Sequence, residues 1–181
     1  FAERMSFSYD TEKEKEMKIS ILYVSQTGNT EAAAEYIQDG ILAKYPFIQV
    51  KLMDIRENEV DAKFLEESEA VIFGSPVYFT SMSWELKKWF DQSFRISLEG
   101  KLGAVFVTAQ SASGGTDTAI MEILRHMLLK GMLVFSGTDP KSEYKFQIGA
   151  VSTADNLDKD SRRLEAFGEA VAQTAVRQFG K

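Results

Sequence analysis

Four near-continuous apolar runs, at residues 19–24, 70–74, 102–108 and 132–135, punctuate the chain of 181 residues and limit what it can build. A strand that is apolar at almost every position has both faces covered, as in a parallel sheet wrapped by helices. A fifth candidate, residues 48–53, alternates Ile48, Val50 and Leu52 with Gln49, Lys51 and Met53. That pattern suits a strand with one more exposed face, at a sheet edge. Helical stripes lie between the runs: Ala33, Ile37 and Ile41; Ile120, Leu124, Met127 and Leu128; Leu164, Phe167, Val171, Ala175 and Phe179. Met82, Leu86, Trp89, Phe90 and Phe94 share a further helical face and leave Trp84 off it. Pro46 helps stop the first helix, and the acidic stretch 56–67 offers only a short one. Strands alternating with helices imply right-handed crossovers and an α/β, three-layer domain over residues 17–181.

Composition removes several kinds of chemistry. With no cysteine, the chain has no disulfide, no thiolate-held cluster and no thiol redox couple. A single histidine, His126, rules out a histidine-rich metal site, and it falls opposite the apolar stripe of its helix, as a surface residue would. Electrons moved by this chain therefore need an organic carrier. The net charge is −6, against the basic stripe that nucleic-acid binding requires. Residues 1–16 hold five acids and three bases, a charge of −2, which leaves −4 on the rest. No apolar run approaches the length of a membrane span, and the first sixteen residues lack a signal-peptide core, so the expectation is a cytoplasmic protein without membrane insertion. Those sixteen residues read as an upstream extension, with a docking arm through Phe1, Met5, Phe7 and Tyr9 as the alternative.

In doubly wound sheets ligands gather beyond the carboxyl ends of the strands. After the first strand come Ser25, Gln26, Thr27, Gly28, Asn29 and Thr30, then a helix. Three hydroxyls around a glycine, opening onto a helix N-terminus, suit a phosphate held by neutral donors, since the loop holds no lysine or arginine. A plain strand-to-helix turn capped by Asn29 or Thr30 is the simpler alternative. The Gly-Lys-Ser/Thr ending of a nucleotide P-loop is missing, as is G-x-G-x-x-G. After the third strand, Ser75, Pro76, Val77, Tyr78 and Phe79 present two aromatics that could lie against a flat ring or pack over the sheet end. After the fourth come Thr108, Ala109, Gln110, Ser111, Ala112, Ser113, Gly114 and Gly115, small and polar, either a linker or a source of main-chain donors. Val24-Ser25 and Gly74-Ser75 at the strand ends lack the carboxylates of a phosphoacceptor domain.

The stretch from Ile19 to Thr30 resembles the first strand and FMN phosphate loop of flavodoxins, whose pattern is Ser/Thr-x-Thr-Gly-x-Thr. The stretch from Gly74 to Gln92 resembles the Trp-repressor-binding-protein-like branch, NAD(P)H:quinone oxidoreductases with the pattern Gly-Ser/Thr-Pro-x-x-Phe-Gly-x-Met. The resemblance implies a five-stranded parallel sheet of order 2-1-3-4-5, with non-covalent FMN across the three loops and no catalytic side chain. It also implies NAD(P)H as donor, a quinone as acceptor, and a homodimer or homotetramer. Tyr78 and Thr80 depart from the branch, whose members carry Arg and Gly there, and Lys130 stands where a histidine near the flavin is typical. The third loop lacks the aromatic that shields the ring in single-electron flavodoxins, the alternative role. Trp84, off the buried face, is expected at a subunit contact, at the flavin rim, or half-covered on the surface. Deleting residues 1–16 is expected to leave fold and flavin binding intact. A large fall in melting temperature or flavin content of the shortened chain would show the arm to be structural.

Overall fold

The computed structural model describes residues 16–56 and 60–180. Residues 1–15 of the proposed extension lie outside that range. The sheet is assembled from β1 (Lys18–Tyr23), β2 (Gln49–Asp54), β3 (Ala70–Tyr78), β4 (Ser81–Met82), β5 (Leu102–Ala109), β6 (Leu133–Val134) and β7 (Ala150–Thr153). Its main path runs β2-β1-β3-β5-β6, with every pair along it parallel. Period-2 alternation divides each central strand between two cores. Ile19, Ile21, Ile72, Ala104 and Phe106 enter one, while Leu22, Val71, Phe73, Val105 and Val107 enter the other. Continuous apolar sequence is what two cores demand. β2 is indeed an edge strand, with Gln49 exposed, but burial does not follow the expected alternation: Val50, Lys51 and Leu52 are half-buried, and Met53, on the face of Gln49 and Lys51, is buried in the second core.

α1 (Asn29–Lys44) and α5 (Ser161–Phe179) cover the first core. α2 (Ala62–Glu67), α3 (Trp84–Gln92) and α4 (Thr116–Leu129) lie on the other face. α2 is short, as its sequence suggests, and Asp61 caps it by accepting from the Phe64 amide at 3.0 Å. Two members of the expected stripes are not buried. Leu128 is 61% exposed, because α4 turns Ile120, Ile123, Leu124 and Met127 inward and Leu128 points about 100° away from Met127. Phe94 is 77% exposed, because α3 ends at Gln92. Among the described residues no helix is long and apolar enough to cross a membrane.

The expected count of five strands needs correcting to seven among the described residues, although the order survives. β4 is a short antiparallel return on β3. The fifth position is shared by β6, against Leu102 and Gly103, and β7, against Phe106 to Ala109. Between them the chain makes an excursion, pinned where Phe146 meets the Phe167 ring at 5.2 Å. β7 is half-buried at alternate positions and only four residues long, so its sequence carries no continuous apolar run.

α1 and α5 approach through Gly40 and Gly168. A Cβ on Gly40 would stand 2.0 Å from the Glu165 carbonyl oxygen, and one on Gly168 would stand 2.1 Å from that of Ile37. Helix propensity favours Gly40→Ala by about 1 kcal/mol, but a backbone collision outweighs it, overpacking costing about 1–3 kcal/mol or more. Gly40→Ala is therefore expected to lower the urea midpoint. A variant as stable as the parent would show that the helices part at little cost.

Candidate functional site

The loops after β1, β3 and β5 meet at one end of the sheet, tied at the base by two buried hydroxyls. Thr30 Oγ1 and Thr108 Oγ1 are 2.7 Å apart. One donates to the other, which leaves the second proton free for a ligand. Ser25 is buried, and its Oγ accepts from the Glu31 amide at 3.2 Å. The N-cap of α1 is Gly28, at φ 88°, rather than Asn29 or Thr30, and it offers no side-chain cap. Ser25 supplies that bond instead, from six residues upstream. The first intrahelical bond runs from the Ala32 amide to Gly28 O, so the Asn29 and Thr30 amides precede the ladder. Thr27 is exposed and Asn29 half-buried. Gln26 turns away, donating from Nε2 to Glu85 Oε1 at 2.8 Å.

The loop is not served by neutral groups alone. Arg56, just beyond β2, donates from its guanidinium to the Ser25 carbonyl oxygen. Its own amide donates to Asp54 Oδ1 at 2.9 Å. Motif reading passed over Arg56 because it lies far along the chain from Ser25. The signal was available in the pairing of β1 with β2, which places their carboxyl ends side by side.

The second loop is a tight hairpin. Ser75 and Pro76 belong to β3 and are buried. Ser75 Oγ donates to Pro76 O at 2.8 Å and accepts from the Ser83 amide at 2.9 Å, locking the start of α3. Val77 is half-buried, Tyr78 37% exposed and Phe79 wholly exposed at the tip. Phe79 and Thr80 have φ of 48° and 69°. A two-residue hairpin of type I′ has φ > 0 at both positions, and Asn-Gly is the sequence that tolerates it best. Glu122 of α4 braces the turn, accepting from Ser81 Oγ at 2.6 Å and from the Met82 amide at 3.0 Å. Thr80 also rests against Gly115, where a Cβ would lie 2.4 Å from Thr80 Cα.

In the third loop Thr108 and Ala109 are buried, while Gln110, Ser111, Ser113 and Gly114 are exposed. The Gly114 amide closes onto Ser111 O at 3.0 Å, and Gly115, at φ 94°, starts α4. Trp84 is 65% exposed, at the start of α3. A groove of about 620 Å³ runs beside it, reaching Arg56, Glu85 and Trp89. Lys130 lies elsewhere, at the amino ends of β5 and β6. It donates to Ser93 O at 2.6 Å and Ile96 O at 3.2 Å, and burial lowers its pKa. His126 is half-buried rather than a free surface residue. Its ring stacks on Phe90 at 4.7 Å, and Nδ1 donates to Glu122 O at 2.7 Å.

The family model of the flavodoxin domain matches residues 20–168. The chain belongs to the flavodoxin family. A flavodoxin of Clostridium saccharobutylicum is 45% identical over 163 residues, which are 90% of this chain and all of that protein. An NAD(P)H dehydrogenase (quinone) of Archaeoglobus fulgidus is 28% identical over 188 residues, 88% of this chain and 98% of that one. A solved flavodoxin, WrbA-like protein from Agrobacterium tumefaciens superposes with a TM-score of 0.74 at 22% identity, covering 91% of this chain and 99% of its own.

In this flavodoxin-family chain the strained hairpin tip is a measurable feature. A left-handed L-residue costs about 1–2 kcal/mol, and the exposed Phe79 ring has no contacts to lose. The double substitution Phe79→Asn, Thr80→Gly should therefore raise unfolding stability by about 1–2 kcal/mol. An unchanged or lower midpoint would show that the turn carries no strain.

Proposed function

We propose that this chain binds one FMN non-covalently and passes electrons from NAD(P)H to a quinone or similar small acceptor. The carrying observation is the first loop. The donors are the unladdered amides at the start of α1, the exposed Thr27 hydroxyl and the Thr30 hydroxyl seated on Thr108, and the left-handed Gly28 between them has nothing within 4 Å of a Cβ placed on it. That donor set fits a phosphate. Tyr78 and Phe79 on one side, and residues 109–115 on the other, would flank the ring. Bound FMN would supply the redox chemistry, which no side chain of these loops provides. The protein's part is to hold the phosphate, direct main-chain donors toward the ring edge and leave one ring face open. Gln110, Ser111, Ala112 and Ser113 are exposed and none is aromatic, which supports access for a nicotinamide. The exposed Trp84 supports a self-association near the flavin rim. A carrier role without a substrate of its own is the second reading, favoured by the 45% identity to a protein named flavodoxin.

Stepwise anaerobic reduction followed by absorption separates the two. The enzyme reading expects NADH or NADPH to bleach the flavin in one stage and a quinone to restore it. A long-lived third spectral species, with both nucleotides inert, would establish the carrier. Thr27→Ala with Thr30→Ala removes two charge-assisted hydrogen bonds, about 1.5–3 kcal/mol each. FMN affinity should then fall by about 10²–10⁴, and a double variant of wild-type affinity would place the phosphate elsewhere.

A further inference from the structure

Residues 25 and 26 are tethered at three points, one of them to the main chain and two to side chains of other elements. Ser25 Oγ is fixed by the Glu31 amide, the Gln26 side chain by Glu85, and the Ser25 carbonyl by the Arg56 guanidinium. The third tether has a directional consequence. The peptide bonds of the described chain are trans, and across a trans peptide the C=O and the following N–H point in opposite directions. When Arg56 draws the Ser25 carbonyl toward the β2 side, it turns the Gln26 N–H to the opposite side of the loop. A peptide fixed in this way presents a donor before any ligand arrives, so less ordering is left for binding.

The charges nearby give Arg56 a second role. Glu31 lies in the first turn of α1, and Glu85 reaches the loop through Gln26. Those two carboxylates add negative charge around the loop, which works against a bound dianion, and the guanidinium held at the Ser25 carbonyl offsets it. We propose that Arg56 is the positioning residue that gives this loop its selectivity for a phosphorylated flavin over the unphosphorylated one. The inference rests on the FMN reading and adds a cation to a loop whose own sequence holds none.

The test uses the full chain freed of flavin and titrated with FMN and with riboflavin, binding being followed by quenching of flavin fluorescence. Arg56→Leu should weaken FMN binding by about 10- to 100-fold, the effect of losing one charge-assisted interaction, and leave riboflavin binding unchanged. Arg56→Gln, which keeps a donor for the Ser25 carbonyl but no charge, should recover part of the loss. FMN binding unchanged in Arg56→Leu would overturn the proposal. So would an equal loss for both flavins, which marks general loosening of the fold. Wild-type protein that binds neither flavin would overturn the FMN reading as well, and the unsubstituted chain alone reveals that outcome.

Discussion

A strand buried on both faces admits no polar side chain without a partner, and β1, β3 and β5 are three such strands side by side. The rest of the molecule follows from satisfying that condition. Ser20 pairs with Ser68 at 2.8 Å, Ser75 with the backbone of Pro76 and Ser83, Thr108 with Thr30, and Ser152 of β7 with Asp160 at 2.8 Å. Ser75 and Thr108 stand near the carboxyl ends of their strands, so the bonds that satisfy them also orient the loops and helices beyond. The candidate site is thus an outgrowth of the core's own hydrogen-bond accounting. Its base is rigid because an unpaired hydroxyl there would be costly.

Above that base the three loops differ in stiffness for physical reasons. The first is tethered through Ser25 and Gln26, and the second is a strained turn propped by Glu122 and Gly115. The third is built from small exposed residues with mainly local bonds, such as Gly114 to Ser111 and Thr116 Oγ1 to Ala112 O at 3.0 Å. Two walls are thus tied to other elements of the fold, and the third mainly to itself, as surface loops commonly are.

The central strands were legible because burial on two faces leaves a continuous apolar signature, and β2 because its alternation marks an edge. The glycine-and-hydroxyl loop was legible because its residues are consecutive. What escaped was set by tertiary contacts. Arg56 reaches Ser25 only because β1 and β2 are neighbours. Phe79 and Thr80 carry no sequence sign of positive φ, the hairpin being imposed by the bonds of Ser75 and Glu122. Leu128 and Phe94 read as buried because periodicity gives a stripe its spacing but not its end. β7 was hidden by its length and by half-burial, which resembles a polar loop.

The divided fifth position also bears on how the chain behaves at high concentration. An edge strand offers a row of unpaired donors and acceptors on which a second chain can grow. Here β6 contributes two residues and β7 four, and the excursion between them bends back so closely that a Cβ on Gly149 would lie 2.6 Å from Val105 O. Leu133 and Val134 are partly exposed and sticky by composition, yet their run is too short and too sharply interrupted to template an incoming strand. The break therefore leaves a shorter row of unpaired donors and acceptors at this sheet margin than a single uninterrupted strand would present.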